Sequence, residues 1–279
     1  MPVRQTPAGP IYFTDRRVPD STCPPVVLIH GAGGSHLDWP PQLRRLDGAR
    51  VIALDLPGHD RSAPRGCSDT LDYANAVIAL LDILAVGRAV FVGHSMGGAI
   101  AQQIALQWPD RAAGLVLMAT GSKLPVDPAL PKRIVDEPEA TVDWIVERSW
   151  GPDADDGLRA LSRDRLLSMS SAILRGDYLA CQRFDVRDRL EQIVAPALVI
   201  AASGDQMVPP KFSVTLAERI PRATLVTIDG AGHMLPLERP GTVAAAVQDW
   251  LRETLCDACS TIWLWEAPPR WAGPCCGRA

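Results

Sequence analysis

Residues 89–98 read AVFVGHSMGG. An apolar run, 89–93, ends in a tight glycine-flanked turn around Ser95. A helical pattern follows over residues 98–108, with Ile100, Ile104 and Trp108 on one side, Gln102, Gln103 and Gln107 on the other, and Pro109 as its stop. Strand, sharp turn and helix form the frame in which G-x-S-x-G exposes a serine hydroxyl. Gly93, Gly97 and Gly98 let the helix approach the strand, because a serine in strained backbone needs small neighbours. The turn lifts the hydroxyl above the carboxyl edge of the sheet, where such sheets bind ligands. A plain strand-to-helix turn is the competing reading, and it leaves the histidine and aspartate described below unexplained.

Similar apolar runs occur at 26–30 (VVLIH), 51–55 (VIALD), 114–119 (GLVLMA), 197–202 (ALVIAA) and 224–228 (TLVTI). Continuous runs of this length read as strands buried on both faces, the mark of a parallel sheet covered by helices. Between them lie helical patterns at 71–84, with Thr70 as N-cap, and at 211–220 and 242–255. Alternating strands and helices imply right-handed crossovers and an α/β class fold with a doubly wound, mostly parallel sheet. Residues 121–191 break the rhythm. They hold Pro125, Pro128, Pro131 and Pro138 and helical stretches near 140–150 and 158–174, but no strand-like run. A structureless loop of that length is uncommon in a compact domain, so an inserted helical cap is expected there. The core is then 1–120 and 192–255, followed by a Cys- and Trp-rich extension at 256–279.

The bulk properties bound the partners. The 279 residues, 47% hydrophobic and 22% charged, suit one large-cored α/β domain. A formal net charge of -4 without a Lys/Arg run gives no footprint for nucleic acid or for an anionic membrane. The N-terminus lacks the apolar stretch of a secretory signal. The longest apolar region, 76–92, is interrupted by Asp82, Gly87 and Arg88, so no stable membrane insertion is expected. The expected location is cytoplasmic. Of 7 cysteines, Cys23, Cys67 and Cys181 stand alone and read as free thiols. Cys256, Cys259, Cys275 and Cys276 cluster in the extension, where the adjacent last pair is poor spacing for zinc, so no metal site is expected. The extension's tryptophans could pack on the body or support a homo-oligomer.

A serine hydroxyl needs a base. Among His30, His36, His59, His94 and His233, the last follows the final strand in a glycine-rich loop (DGAGH, residues 229–233) and is the expected base. His94 should point away from Ser95, His30 should brace its loop, and His59 lies in a Pro-Gly turn. The base needs an acid to fix its tautomer. Asp205, just after the 197–202 run, gives the chain order Ser95, Asp205, His233; Asp127 is the reserve acid, and capping of the following helix is the competing role for Asp205. Oxyanion donors are assigned to the backbone N–H of Ala32, in HGAGG (30–34), and of Met96. That loop lacks G-x-G-x-x-G and G-K-[ST], which argues against a nucleotide site.

Taken together, HGAGGS (30–35), LDLPGH (54–59), GHSMGG (93–98), D-x-x-V-P around Asp205 and GAGH (230–233) resemble the α/β-hydrolase superfamily over most of the chain. The resemblance implies a helical cap over the nucleophile and no cofactor. GHSMGG is similar to carboxylesterases and monoglyceride-type lipases, which implies hydrolysis of short- to medium-chain esters by an acyl-enzyme on Ser95. Carbon–carbon bond hydrolases of the meta-cleavage type and cofactor-free perhydrolases are the alternatives; the former would need an arginine for a second carboxylate, with Arg175, Arg183 and Arg187 as candidates. Gly31, His94, Trp144 and Trp150 are expected to contact the small-molecule ester, and Ile145, Leu167 and Met169 could join them, although at least half of the cap residues should pack its own core. Two departures from the family pattern stand out. Asp60 follows Pro57-Gly58-His59 where the family has glycine, and only residues 11–14 are available for the two leading antiparallel strands, so that edge of the sheet is expected to be truncated.

Overall fold

The computed structural model describes residues 2–19 and 21–256. Eight strands form one sheet: β1 (Val3–Thr6), β2 (Gly9–Arg16), β3 (Val26–Ile29), β4 (Val51–Leu54), β5 (Ala89–His94), β6 (Ala112–Met118), β7 (Ala197–Ala202) and β8 (Ala223–Ile228). Their spatial order is β1-β2-β4-β3-β5-β6-β7-β8. From β4 to β8 all neighbours are parallel, whereas β1–β2 and β2–β4 are antiparallel. Ten α-helices accompany them among the described residues: α1 (Pro41–Arg44), α2 (Thr70–Ile83), α3 (Met96–Gln107), α4 (Leu130–Asp136), α5 (Pro138–Ser149), α6 (Asp156–Ser168), α7 (Ser171–Arg183), α8 (Lys211–Arg219), α9 (Leu235–Glu238) and α10 (Pro240–Leu251).

The apolar runs are strands because both faces of the sheet are covered. Along β3, Val27 and Ile29 join the core under α2, α3 and α8, while Val26 and Leu28 join the core under α1 and α10. Phe91 on β5 faces the first layer and Val90 and Val92 the second. This period-two partition leaves no polar side chain on the central strands β3 to β7 except His94 at the end of β5. Among the described residues no helix is long and apolar enough to cross a membrane.

The leading edge is complete rather than truncated. β1 and β2 form a hairpin in register from Val3↔Tyr12 to Thr6↔Gly9, with Gly9 at φ 97. The sequence hides it because an edge strand needs little apolar signal: β1 is mostly exposed, and Ile11, Tyr12 and Phe13 alone bury on β2. The N-cap of α2 is Asp69 rather than Thr70, its carboxylate accepting the Leu71 N–H at 2.8 Å. Cys23 is not a free thiol: it is disulfide-bonded to Cys256, 233 residues away, a pairing that sequence separation conceals. Cys67 and Cys181 are free. The remaining tail cysteines lie outside the described residues.

Between β6 and β7 stand α4 to α7, with their own apolar cluster of Leu130, Ile134, Val142, Ile145, Leu174 and Tyr178. Pro138, which reads as a breaker, opens α5, where a missing N–H costs nothing. The single helix expected at 158–174 is two, broken between Ser168 and Ser171. The insert leaves and re-enters the core side by side: Lys123 bridges Asp185, and the Val186 N–H donates to the Ser122 carbonyl at 2.8 Å.

Phe91 is fully buried at the centre of the sheet. Phe91→Ala is expected to lower unfolding free energy by about 3–5 kcal/mol, read by urea denaturation; a loss under about 1 kcal/mol would show that the site collapses freely.

Candidate active site

Ser95 links β5 to α3 at φ 54 and ψ -116. That left-handed backbone is costly for a residue with a Cβ and persists because the surroundings over-determine it. The Ser95 N–H donates to the Met118 carbonyl at 2.9 Å, and the Ser95 carbonyl accepts from Thr120 Oγ1 at 2.8 Å and from the Gly98 N–H at 2.9 Å. A Cβ on Gly97 would strike the Ile29 carbonyl, and one on Gly98 would lie 2.5 Å from Thr120 Cγ2. The glycines are therefore required by contact. Ser95 stays half-buried at the edge of a cavity of about 580 Å³.

His233, from the loop after β8, opens on the same cavity. Its Nδ1–H donates to Asp205 Oδ2 at 2.8 Å, and both residues are more than nine-tenths buried. This fixes the tautomer and leaves Nε2 as the basic nitrogen. Asp205 Oδ1 meanwhile accepts the Met207 and Val208 N–H groups at 2.8 Å each. The carboxylate thus braces the loop before α8 and orients the imidazole, combining the two roles that compete in the sequence. Asp127 also lines the cavity, but its carboxylate accepts the Ala129 N–H rather than meeting the imidazole.

His94 lies buried against His233, ring centroids 4.9 Å apart, and its Nε2–H donates to the His233 carbonyl at 2.8 Å. It packs against the His233 ring and lines the cavity as well. His30 braces its loop, donating from Nδ1 to the Gly31 carbonyl at 2.8 Å and accepting the Leu56 N–H at Nε2, 3.0 Å. The glycine loop abuts the serine: a Cβ on Gly31 would lie 3.3 Å from Ser95 Cβ. Ala32 lines the cavity beside Ser95, and Met96 opens α3, so its N–H has no carbonyl one turn back to bond.

The insert closes the cavity from above. Trp144, Ile145, Trp150, Leu158 and Leu166 line it, whereas Leu167 and Met169 pack in the insert's own core. Arg175, Arg183 and Arg187 do not reach it; Arg183 bonds Ser68 and Arg187 pairs with Asp185. Arg148 and Arg165 line it instead, the latter donating to Asp38 at 2.7 Å and to Ser35 Oγ at 2.6 Å. Sequence reading missed Glu238 on α9. Its Oε2 accepts the N–H of Gly232, beside His233, and of Gly151, beside Trp150, each at 3.0 Å. One carboxylate thereby clamps the insert onto the loop that carries His233. In the Pro57–Asp60 turn, Asp60 takes φ 38, a left-handed position that aspartate tolerates better than most residues.

Burial, with the His233 ring beside it, pushes the His94 pKa down to about 3. A depressed folded-state value means that His94 binds its proton more readily when unfolded, so its contribution to stability is whole above about pH 6.5 and is lost as pH falls toward 3. In a pH series of NMR spectra the His94 Cε1–H resonance is expected to keep its neutral position down to about pH 4; a midpoint near 6.5 would contradict the burial described here.

The alpha/beta hydrolase family model matches residues 26–246. A protein of Caulobacter sp. (strain K31) assigned as carbamate hydrolase RutD is 32% identical over 259 residues, 86% of this chain and 95% of its own. A 2-hydroxy-6-oxononadienedioate/2-hydroxy-6-oxononatrienedioate hydrolase of Burkholderia vietnamiensis (strain G4 / LMG 22486) is 30% identical, covering 81% of this chain and 86% of its own. Among solved structures, a thermophilic esterase from Thermogutta terrifontis aligns with TM-score 0.81 and 28% identity over 91% of this chain and 98% of its own. The enol-lactonase of Burkholderia xenovorans LB400 aligns with TM-score 0.83 and 26% identity over 90% and 99%. With its G-x-S-x-G turn, its eight-stranded sheet and a family match across most of its length, the chain belongs to the α/β hydrolase family.

Proposed function

We propose that the protein is a serine carboxylesterase. The observation that carries this reading is the Asp205–His233 pair, 2.8 Å apart, opening on the same cavity as a serine held in left-handed backbone. His233 Nε2 takes the Ser95 proton as Oγ attacks the ester carbonyl. The new C–O bond places negative charge on the carbonyl oxygen, which the Ala32 and Met96 N–H groups receive. His233 then returns the proton to the departing alkoxide, leaving an acyl-enzyme and a free alcohol. Water repeats the sequence, with His233 again as base, and releases the acid and Ser95. Asp205 keeps the imidazolium oriented and stabilised throughout. No step calls for a cofactor.

The cavity supports the substrate class. Its walls are largely aliphatic and indole surface, and a volume of about 580 Å³ suits a short- to medium-chain acyl group. A second reading, a carbon–carbon bond hydrolase, is favoured by one observation: Arg148 and Arg165 both line this cavity and could meet a second substrate carboxylate.

Ser95→Ala is expected to lower kcat/KM for p-nitrophenyl butyrate by roughly 10⁴-fold or more with Tm nearly unchanged; turnover at the parent rate would sink the assignment. Assayed beside a vinylogous diketone of ring fission, the parent should prefer the ester, and the reverse preference would select the second reading. Across acyl lengths, activity should peak at short to medium chains.

A further inference from the structure

Outside the Ser95–His233–Asp205 constellation, the described residues hold two more buried histidine–carboxylate pairs, His36–Asp55 and His59–Asp177, and the second is wholly buried and ties the insert to the core. Asp177, on α7 of the insert, and His59, in the turn after β4, are both 0% exposed. His59 Nε2–H donates to Asp177 Oδ2 at 2.8 Å, and its Nδ1–H donates to the Pro57 carbonyl at 3.1 Å. Both ring nitrogens face oxygen acceptors, an arrangement that favours the doubly protonated ring. Burial works against that charge, but the Asp177 carboxylate and these hydrogen bonds outweigh it and raise the pKa. Asp177 Oδ1 accepts the Tyr73 hydroxyl of α2 at 2.6 Å. The last bond to this carboxylate is the informative one: Oδ2 accepts the backbone N–H of Gly33 at 2.8 Å, across 144 residues of sequence.

Gly33 follows Ala32, the residue assigned as an oxyanion donor. It sits at φ 67, and a Cβ there would lie 2.5 Å from Leu166 Cδ2 and 3.0 Å from Leu174 Cδ1, both carried by the insert. The insert thus leaves room only for a glycine here and holds its N–H with a carboxylate. An ordinary anchoring pair between insert and core would not need to end on the oxyanion loop. We infer that Asp177 is a positioning residue for the oxyanion hole: it holds the Ala32–Gly33 peptide from the insert side and so sets the direction of the adjoining Ala32 N–H.

The carboxylate is suited to this task because three donors, from the glycine loop, the turn after β4 and α2, hold both of its oxygens inside the buried interface. A donor aimed before substrate arrives needs no reorganisation when charge develops, which is where oxyanion stabilisation gains its strength. A misaimed donor costs transition-state affinity and leaves ground-state binding nearly intact, because the neutral ester carbonyl makes little demand on it.

This inference rests on the esterase reading, and three proteins separate the two: the parent, Asp177→Asn and Tyr73→Phe. For p-nitrophenyl butyrate, Asp177→Asn should lower kcat roughly tenfold or more, with KM within about twofold of the parent. Its affinity for an alkylboronic acid, which presents a tetrahedral oxygen to the same donors, should fall by a similar factor. Tyr73→Phe removes one of the three bonds that hold the same carboxylate and should lower kcat in the same direction but by less than Asp177→Asn, again with KM within about twofold of the parent. Should Asp177→Asn fail to fold, Asp177→Glu keeps the charge but displaces it by one methylene, and the same fall in kcat at constant KM is expected. Parent-like kcat in whichever Asp177 variant folds, or loss in KM alone, would overturn the positioning role. A parent protein that neither turns over the ester nor takes a fluorophosphonate at Ser95 would overturn the esterase reading, and this inference with it.

Discussion

The left-handed backbone at Ser95 is the constraint on which the rest of the site depends. A residue with a Cβ does not hold φ 54 unless its neighbours leave it no alternative. Here the parallel sheet supplies the Met118 carbonyl for its N–H, Thr120 supplies a hydroxyl for its carbonyl, and glycines at 97 and 98 let α3 press against β3 and Thr120. Six parallel strands, of which β3 to β7 are buried on both faces, give the serine a fixed position relative to two loops, one carrying Asp205 and one carrying His233.

Around that fixed point, three of the charged contacts between the insert and the core end beside the site. Glu238 joins Gly151 to the His233 loop, Arg165 joins α6 to Ser35 and Asp38, and Asp177 joins α7 to Gly33 and His59. Each ends on a loop that carries part of the site. The pair at His59 and Asp177 is the most deeply buried, so the geometry of α7 is the costliest of the three to disturb. The Glu238 contact is half-buried and Arg165 is about one-third exposed, so α5 and α6 are the segments that can yield to a substrate more cheaply.

Much of this was legible in the sequence because it is local. Apolar runs mark the central strands, since burial on both faces forbids polar residues there. The glycine-rich turns around Ser95, Ala32 and His233 stand out because their backbone needs small neighbours. What escaped depends on contacts across long sequence separations or on weak local signal. Strand β1 was invisible because an exposed edge strand need not be apolar. The Cys23–Cys256 bond spans 233 residues, and nothing near either cysteine announces it. Asp177 carries no local signal, because its partners Gly33, His59 and Tyr73 all lie more than a hundred residues away in sequence, and it is wholly buried. The arginines at 175, 183 and 187 looked available because helical spacing does not say which face meets the cavity; those that reach it are Arg148 and Arg165.

The central claim is that Ser95 itself carries the acyl group between the two halves of the reaction. Rapid acid quench during turnover of p-nitrophenyl butyrate, followed by peptide mass spectrometry, tests this without reference to rates. The account predicts a butyryl adduct on the peptide containing Ser95, lost in the Ser95→Ala protein. Turnover with no adduct at Ser95, or with the adduct on another side chain, would contradict it.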